Sequence, residues 1–261
     1  MTVGRFRQFV AAWDGGSGYA PLPGSGKHAH LNGGLGLEEI QADGGTLYES
    51  GWNAADDTNI APTDANLACY GGTFATWTPS PAGQENLPIN CVNWFEAFAF
   101  CIWDGGFLPS EAEWGYAAAG GGEQREYPWG STPPGTQNQR AIYGCYYPGG
   151  ADGGLPSCMG VTNLAAVGTA PAGTGAWGQL DLAGDVFQWI ADYYAPTYPN
   201  PCTDCAALLP TTYRVVRGGS YNLDSSWLGS SFRAWNVPSG PMTTDGASRI
   251  DGLGFRCART P

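Results

Sequence analysis

Glycine and proline run so densely through this chain, 41 and 20 of its 261 residues, that long regular elements have little room. Each glycine raises the entropy cost of ordering the backbone, and each proline removes a hydrogen-bond donor from a helix or ladder. Less helix and strand than usual is therefore expected. Cohesion must come from elsewhere, and the sequence offers two sources. Eleven Trp, thirteen Tyr and ten Phe supply apolar surface, and large aromatics bury much area per residue. Eight cysteines, an even number, supply cross-links.

No spacing gives two CxxC pairs, and the only two histidines, His28 and His30, sit together in a Gly-rich loop. A zinc site built from Cys and His is poorly supported, and the two histidines read as surface loop residues. Four disulfides is the better reading, and it implies an oxidising compartment, secreted or in the cell envelope. The chain opens at Met1-Thr2-Val3-Gly4-Arg5-Phe6 with no apolar leader, which reads as a processed chain or a fragment. No apolar run approaches the length of a membrane span, so membrane insertion is not expected. The formal net charge of −12 argues against nucleic acid as a partner, because phosphate contacts need clustered Lys and Arg. The acidity reads first as solubility.

Periodicity is local. Thr2 to Trp13 reads as a short amphipathic helix with Phe6, Phe9 and Val10 on one face. Residues 14–90 show almost none, only scattered aromatics at Tyr19, Tyr48, Trp52, Tyr70 and Trp77. Loops this long are usually functional or pinned by cross-links. Asn93 is a good N-cap, and Glu96 completes a capping-box pattern. Phe95, Phe98, Ala99 and Ile102 make the expected buried stripe, and Asp104-Gly105-Gly106 stops the helix. A second capping box, Ser110-Glu111-Ala112-Glu113, leads a helix through Trp114 and Tyr116 to Gly120. Arg214-Val215-Val216-Arg217 is strand-like, and a loop-rich segment ends at Gly254-Phe255-Arg256-Cys257. No repeat and no linker separates two cores, so a single domain over 1–261 is expected.

Four segments carry a resemblance in order. They are Pro88-Ile89-Asn90-Cys91-Val92-Asn93-Trp94 with Ala99-Phe100-Cys101; Leu108-Pro109-Ser110-Glu111-Ala112-Glu113-Trp114 with Tyr127-Pro128-Trp129-Gly130; Asp181-Leu182-Ala183-Gly184-Asp185-Val186-Phe187-Gln188-Trp189; and Arg217-Gly218-Gly219-Ser220-Tyr221 with the closing Gly254-Phe255-Arg256-Cys257. Together they resemble the formylglycine-generating enzyme (sulfatase-modifying factor) family. Thr2 to Phe6 looks like that family's first helix, with a strand or two missing before it. The resemblance implies an α+β, C-type-lectin-like, loop-rich fold, in line with the glycine and proline content.

The family's oxidase converts a cysteine to formylglycine with copper held by two thiolates, soft ligands that select Cu(I). Read forward from Gly219-Ser220-Tyr221, the two positions here are Leu223 and Leu228, which cannot ligate copper. Tyr213 to Arg256 contains no cysteine, so no copper is expected. A related branch uses iron on three histidines, and two exist here. What remains implied is a scaffold used for binding or structure, and function must be argued from its site. The loop from Tyr221 to Asp251 would occupy the active-site face. It carries Tyr221, Asp224, Trp227, Arg233 and Trp235, a recognition-type set for a peptide, glycan or protein ligand. The other reading places Trp227 and Trp235 in the core. The alternative function is an oxidoreductase or other metal-dependent enzyme of the family working through different residues.

The resemblance also implies cross-links and a metal. It pairs Cys101 with Cys257. For the rest, sequence neighbours are expected to join: Cys69 with Cys91, Cys145 with Cys158, and Cys202 with Cys205, the last pair having a dithiol as its other reading. The family wraps a calcium ion in the segment that matches 181–189. By position the ligands are Asp181, the Gly184 and Val186 carbonyls, and Gln188. Calcium takes six to eight oxygens, which a Gly-containing turn can supply. The other reading has Asp181 and Gln188 capping local structure without metal.

Overall fold

The computed structural model describes residues 1–69, 72–149, 158–235 and 249–260. Helix α1, Val3–Trp13, starts where the Thr2 side chain accepts from the Arg5 N–H, and it buries Val3, Phe6 and Phe9. Helix α2 is a single turn, Asp64–Leu67. Helix α3, Trp94–Trp103, carries the full Asn93/Glu96 capping box. Its buried face is broader than the expected stripe and takes in Trp94, Ala97, Phe100 and Cys101, while Phe95 and Ile102 are only partly buried. The reason is that α3 is covered from two sides. Phe100 stacks on Phe6 at 5.6 Å, and Phe98 meets Trp52 at 5.6 Å. Helix α4, Glu111–Ala119, has the Ser110/Glu113 capping box and ends on Gly120, whose φ of 67° suits glycine.

The region expected to be all loop contains a hairpin, β1 (Glu38–Ile40) and β2 (Thr46–Tyr48). The main sheet has the order β5-β4-β3-β6. Strand β3, Phe187–Tyr193, is central. It runs antiparallel to β4 (Arg214–Arg217) and parallel to β6 (Leu253–Phe255), and β4 pairs with β5 (Arg233–Ala234). The strand-like reading of 214–217 therefore holds, while β3 carried no alternation to reveal it. Phe187, Gln188, Trp189 and Ile190 are all buried, as expected of a strand covered on both faces.

Both faces of the sheet are packed, by different helices. Phe187, Trp189, Val216, Leu253 and Phe255 share a core with α1 and α3. Ile190 and Val215 pack with Trp114 and Ala118 of α4. Disulfides join Cys69–Cys91, Cys101–Cys257, Cys145–Cys158 and Cys202–Cys205, the pairs expected above. The second of these fastens α3 to the chain beyond β6. Among the described residues no helix is long and apolar enough to cross a membrane.

Candidate functional site

Leu223 and Leu228, the two residues that the resemblance aligns with the copper positions, do not face a common site. Leu223 packs against the main core, whereas Leu228 is fully buried in a separate cluster with Ala141, Tyr143 and Ala183. Every cysteine is in a disulfide, so no thiolate is at hand. The residues present do not fit copper.

The Asp181–Gln188 turn does not fit calcium either, and the reason is local. The Gln188 side-chain oxygen accepts from the Trp114 indole at 2.8 Å and from Arg256 Nε at 2.7 Å. An amide oxygen has two lone pairs, and both are taken. The amide nitrogen donates to the Asp181 carbonyl at 3.0 Å and the Leu182 carbonyl at 3.2 Å. Arg256 also donates to the carbonyls of Leu180 and Asp181 at 2.8 and 2.9 Å. Asp181 Oδ2 accepts from the Gly168 N–H at 2.7 Å. A guanidinium thus stands beside the oxygen that calcium would need. Next to it, burial raises the Asp185 carboxyl to a pKa of about 8.

The five residues proposed as one recognition surface separate into three settings. Tyr221 is buried at 1 % exposure, with its hydroxyl donating to Asp251 Oδ2 at 3.1 Å, so it presents nothing to a ligand. Trp227 packs against the core on Phe187 and Phe232, as the core reading had it, and exposed Asp224 caps the turn that carries it. Arg233 and Trp235 do come together. Trp235, 37 % exposed, lies 5.3 Å from the Tyr194 ring and 4.8 Å from Tyr213. Arg233 lies over Tyr198 at 4.3 Å and holds Glu111 through both carboxylate oxygens. Residues 236–248 of that loop lie outside the described residues.

His28 is not a surface residue. It is fully buried, with Nδ1 3.0 Å from Glu49 Oε1 and Nε2 3.0 Å from Glu113 Oε2. Both nitrogens face carboxylates, so both must donate, and the ring is an imidazolium. Burial pulls its pKa down, but the bonds to Glu113 and Glu49 outweigh it and hold the pKa at about 9. Glu49 also accepts from the backbone N–H groups of His28 and Leu37. The hairpin is thereby pinned to the first turn of α4. His30 is exposed, with its ring 5.5 Å from Phe107.

The pinned hairpin forms one wall of a cleft of about 360 Å³, with Tyr48, Asp56, Trp94, Tyr193, Leu208 and Arg214 around it. Arg214 pairs with Tyr193 across β4 and β3, where the register shifts between Trp189 and Tyr193. Its guanidinium carbon lies 3.7 Å from the Trp94 ring centre and 3.5 Å from that of Tyr193. Nη1 donates to the Ala191 carbonyl at 2.6 Å. Burial lowers the Arg214 pKa to about 10 and raises that of Asp56. Neither residue was singled out for a site in the sequence. The strand-like run at 214–217 places Arg214, but Trp94 and Tyr193, its aromatic neighbours, come from distant segments.

Comparison with known proteins adds the family context. The profile of the sulfatase-modifying factor enzyme 1-like domain matches residues 1–261. A formylglycine-generating enzyme from Streptomyces coelicolor is 35% identical over 67% of this chain and 54% of its own length. The mouse inactive C-alpha-formylglycine-generating enzyme 2 is 33% identical over 66% of this chain and 49% of its own length. A hercynine oxygenase from Mycolicibacterium smegmatis is 32% identical over 58% of this chain and 34% of its own length. The chain thus spans about half the length of the first two curated relatives, or less. Two solved structures share the fold at 22% identity and a TM-score of 0.50. PvdO from Pseudomonas aeruginosa is matched over 69% of this chain and 64% of its own, and Treponema denticola variable protein 1 over 69% and 74%.

Proposed function

The chain belongs to the sulfatase-modifying factor enzyme 1-like family, and we propose that it is an extracytoplasmic, non-catalytic member of it. In this reading residues 1–261 form one domain that binds a peptide, glycan or protein ligand, or serves a structural role. The observation that carries it is the state of the sulfur. All eight cysteines are spent in disulfides, and the residues that the resemblance aligns with the copper positions are the buried or partly buried Leu228 and Leu223. Copper oxidase chemistry needs soft thiolate ligands, and this chain has none to offer. Four disulfides also support an oxidising compartment. A relative whose own name marks it inactive gives the reading a precedent.

The second reading is an oxidoreductase or other metal-dependent enzyme acting through other residues. The relatives named formylglycine-generating enzyme and hercynine oxygenase favour it. Metal analysis of the purified protein and a turnover assay on a cysteine-containing sulfatase peptide with added copper separate the two. The non-catalytic reading expects no stoichiometric copper or iron and no formylglycine above background. Either one in measurable amount overturns it.

A further inference from the structure

We propose that the cleft between the hairpin and the β3–β4 end of the sheet is a binding site for a small zwitterion of the α-amino acid class, its carboxylate on Arg214 and its ammonium on Asp56. This deepens the reading above and rests on it, since it assigns a ligand to the non-catalytic scaffold.

Arg214 is a charge that the fold leaves without a direct ion pair. A buried cation is costly unless an anion or a full set of acceptors meets it. Several other arginines have a carboxylate at ion-pair distance: Arg233 has Glu111, Arg249 has Glu96, Arg7 has Glu85, and the exposed Arg5 and Arg259 share Asp104. Arg256 lacks a carboxylate but fills its donors with carbonyl and amide oxygens. For Arg214, among the described residues, no carboxylate stands at ion-pair distance. Its Nη1 donates to the Ala191 carbonyl, and the Tyr193 side chain is a second hydrogen-bond partner.

Orientation then says what can bind. The faces of the guanidinium are covered by Trp94 and Tyr193, so only its edge is open for recognition. A guanidinium edge presents parallel N–H groups, which match a carboxylate in two-point geometry. Stacking between two rings also fixes the fork before the ligand arrives, and that lowers the ordering cost of binding.

A simple anion does not complete the match, because the same cleft holds Asp56. Asp56 is partly buried, and loss of water raises its carboxyl while the Arg214 charge and a hydrogen bond to Asn59 pull it back; among the described residues the two make no direct ion pair. The other lining carboxylate, Glu49, is already engaged by His28 and Leu37. Two opposite charges without a direct ion pair therefore share a cleft that is also lined by the apolar Leu47, Leu208 and Pro210, by Tyr48, and by the uncharged polar Ser50 and Asn53. A cleft of about 360 Å³ is at the small end of ligand sites. Opposite charges in one cleft with apolar lining match an amino acid with a hydrophobic side chain.

The test uses the whole chain with its disulfides intact. A panel of L-amino acids is screened by thermal shift. Calorimetry then compares L-phenylalanine with phenethylamine, which lacks the carboxylate, and 3-phenylpropionate, which lacks the ammonium. The expected result is binding of at least one apolar amino acid, with each truncated analogue at least tenfold weaker. Asp56→Asn should erase the preference for phenylalanine over phenylpropionate while the protein stays folded. Arg214→Lys should weaken the amino acid and phenylpropionate together, and spare phenethylamine. Equal binding of the three compounds, or the same affinities in Asp56→Asn, overturns the assignment. So does a panel without binding at 10 mM, on the order of a fragment's weakest useful affinity. None of these outcomes bears on the copper and formylglycine assays, which decide the non-catalytic reading by themselves.

Discussion

Strand β4 carries an arginine at each end, and the two meet opposite fates. Arg217 points to the face covered by α4. It lies over the Trp114 ring at 4.7 Å, donates to the Ser230 carbonyl at 3.0 Å and to the Phe232 carbonyl, and sits 3.6 Å from Glu111. Arg214 points to the α3 face, between Trp94 and Tyr193, with the Ala191 carbonyl as acceptor. The two faces of the sheet are held in different ways. The α4 face is an electrostatic assembly, in which Glu111 serves Arg217 and Arg233 together. The α3 face carries the main aromatic core and is fastened by the Cys101–Cys257 disulfide, with Glu96 of α3 paired to Arg249. The first can spare no charge, and the second has one left over.

The largest effects should come from removing each fastening in turn. Replacing Cys101 and Cys257 together by Ser opens a link across a sequence separation of 156 residues. The chain-entropy model gives roughly 4–5 kcal/mol for a loop of that size, at the upper side because residual structure reduces it. Glu111→Ala should cost roughly 3–5 kcal/mol, because it strands two arginine charges near the α4 face. Denaturant unfolding of both variants checks these values. If Glu111→Ala cost less than about 1 kcal/mol, the α4 face would not be held by charge, and the contrast would fail.

A third effect of intermediate size depends on pH. The folded pKa of His28 is raised from 6.5 to about 9. Its contribution is therefore complete below pH 6.5 and is lost as pH rises through 9. The shift corresponds to roughly 3 kcal/mol as an order of magnitude. Asp192, raised by burial to about 7, and Asp185, raised to about 8, also weaken the fold as they ionise. The measurement that isolates His28 is the stability gap between the protein and His28→Gln. That gap should narrow by about 3 kcal/mol between pH 6 and pH 10. A constant gap would mean that the hairpin is not held by an imidazolium.

Arg214→Met supplies the contrast to Glu111→Ala. Two ring contacts are lost, worth about 1–2 kcal/mol, but a desolvated charge goes with them. Stability in urea should change by no more than about 1 kcal/mol. A loss as large as that of Glu111→Ala would show that Arg214 is a structural fastening like Arg217, not an open binding group.

Much of this contrast was legible in the sequence at the level of elements, and little of it at the level of sites. Capping boxes at Asn93 and Ser110 announced α3 and α4 because their residues are three apart and interact locally. Disulfide partners could be expected from family order and from proximity in sequence. The central strand was hidden because a strand buried on both faces loses its alternation. His28 was misread because its partners, Glu49 and Glu113, are 21 and 85 residues away. Tyr221 was placed on a surface by loop position, yet its hydroxyl finds Asp251 inside the core. Arg214 stayed unremarked for the same reason as His28: Trp94, which covers one face, belongs to another helix.

The smallest expected effect is none at all, and it falls on the α4 face. Calcium should not stabilise this chain at the turn from Asp181 to Gln188. Gln188 is the cross-strand neighbour of Arg217 in the β3–β4 pair and shares the Trp114 indole's side of the sheet. Its amide oxygen already accepts two N–H groups, one from a cation. To bind there, calcium would have to displace Arg256, whose guanidinium also ties the Leu180 and Asp181 carbonyls to the chain's last strand. A ligand that binds only the folded state raises its melting temperature by mass action. The midpoint in millimolar calcium should therefore equal that in chelator, and Asp181→Ala should leave this equality intact. A rise with calcium that vanishes in Asp181→Ala would mean that Arg256 yields its place to a metal. The α4 face would then have an open position too, and the distinction between the two ends of β4 would be one of degree.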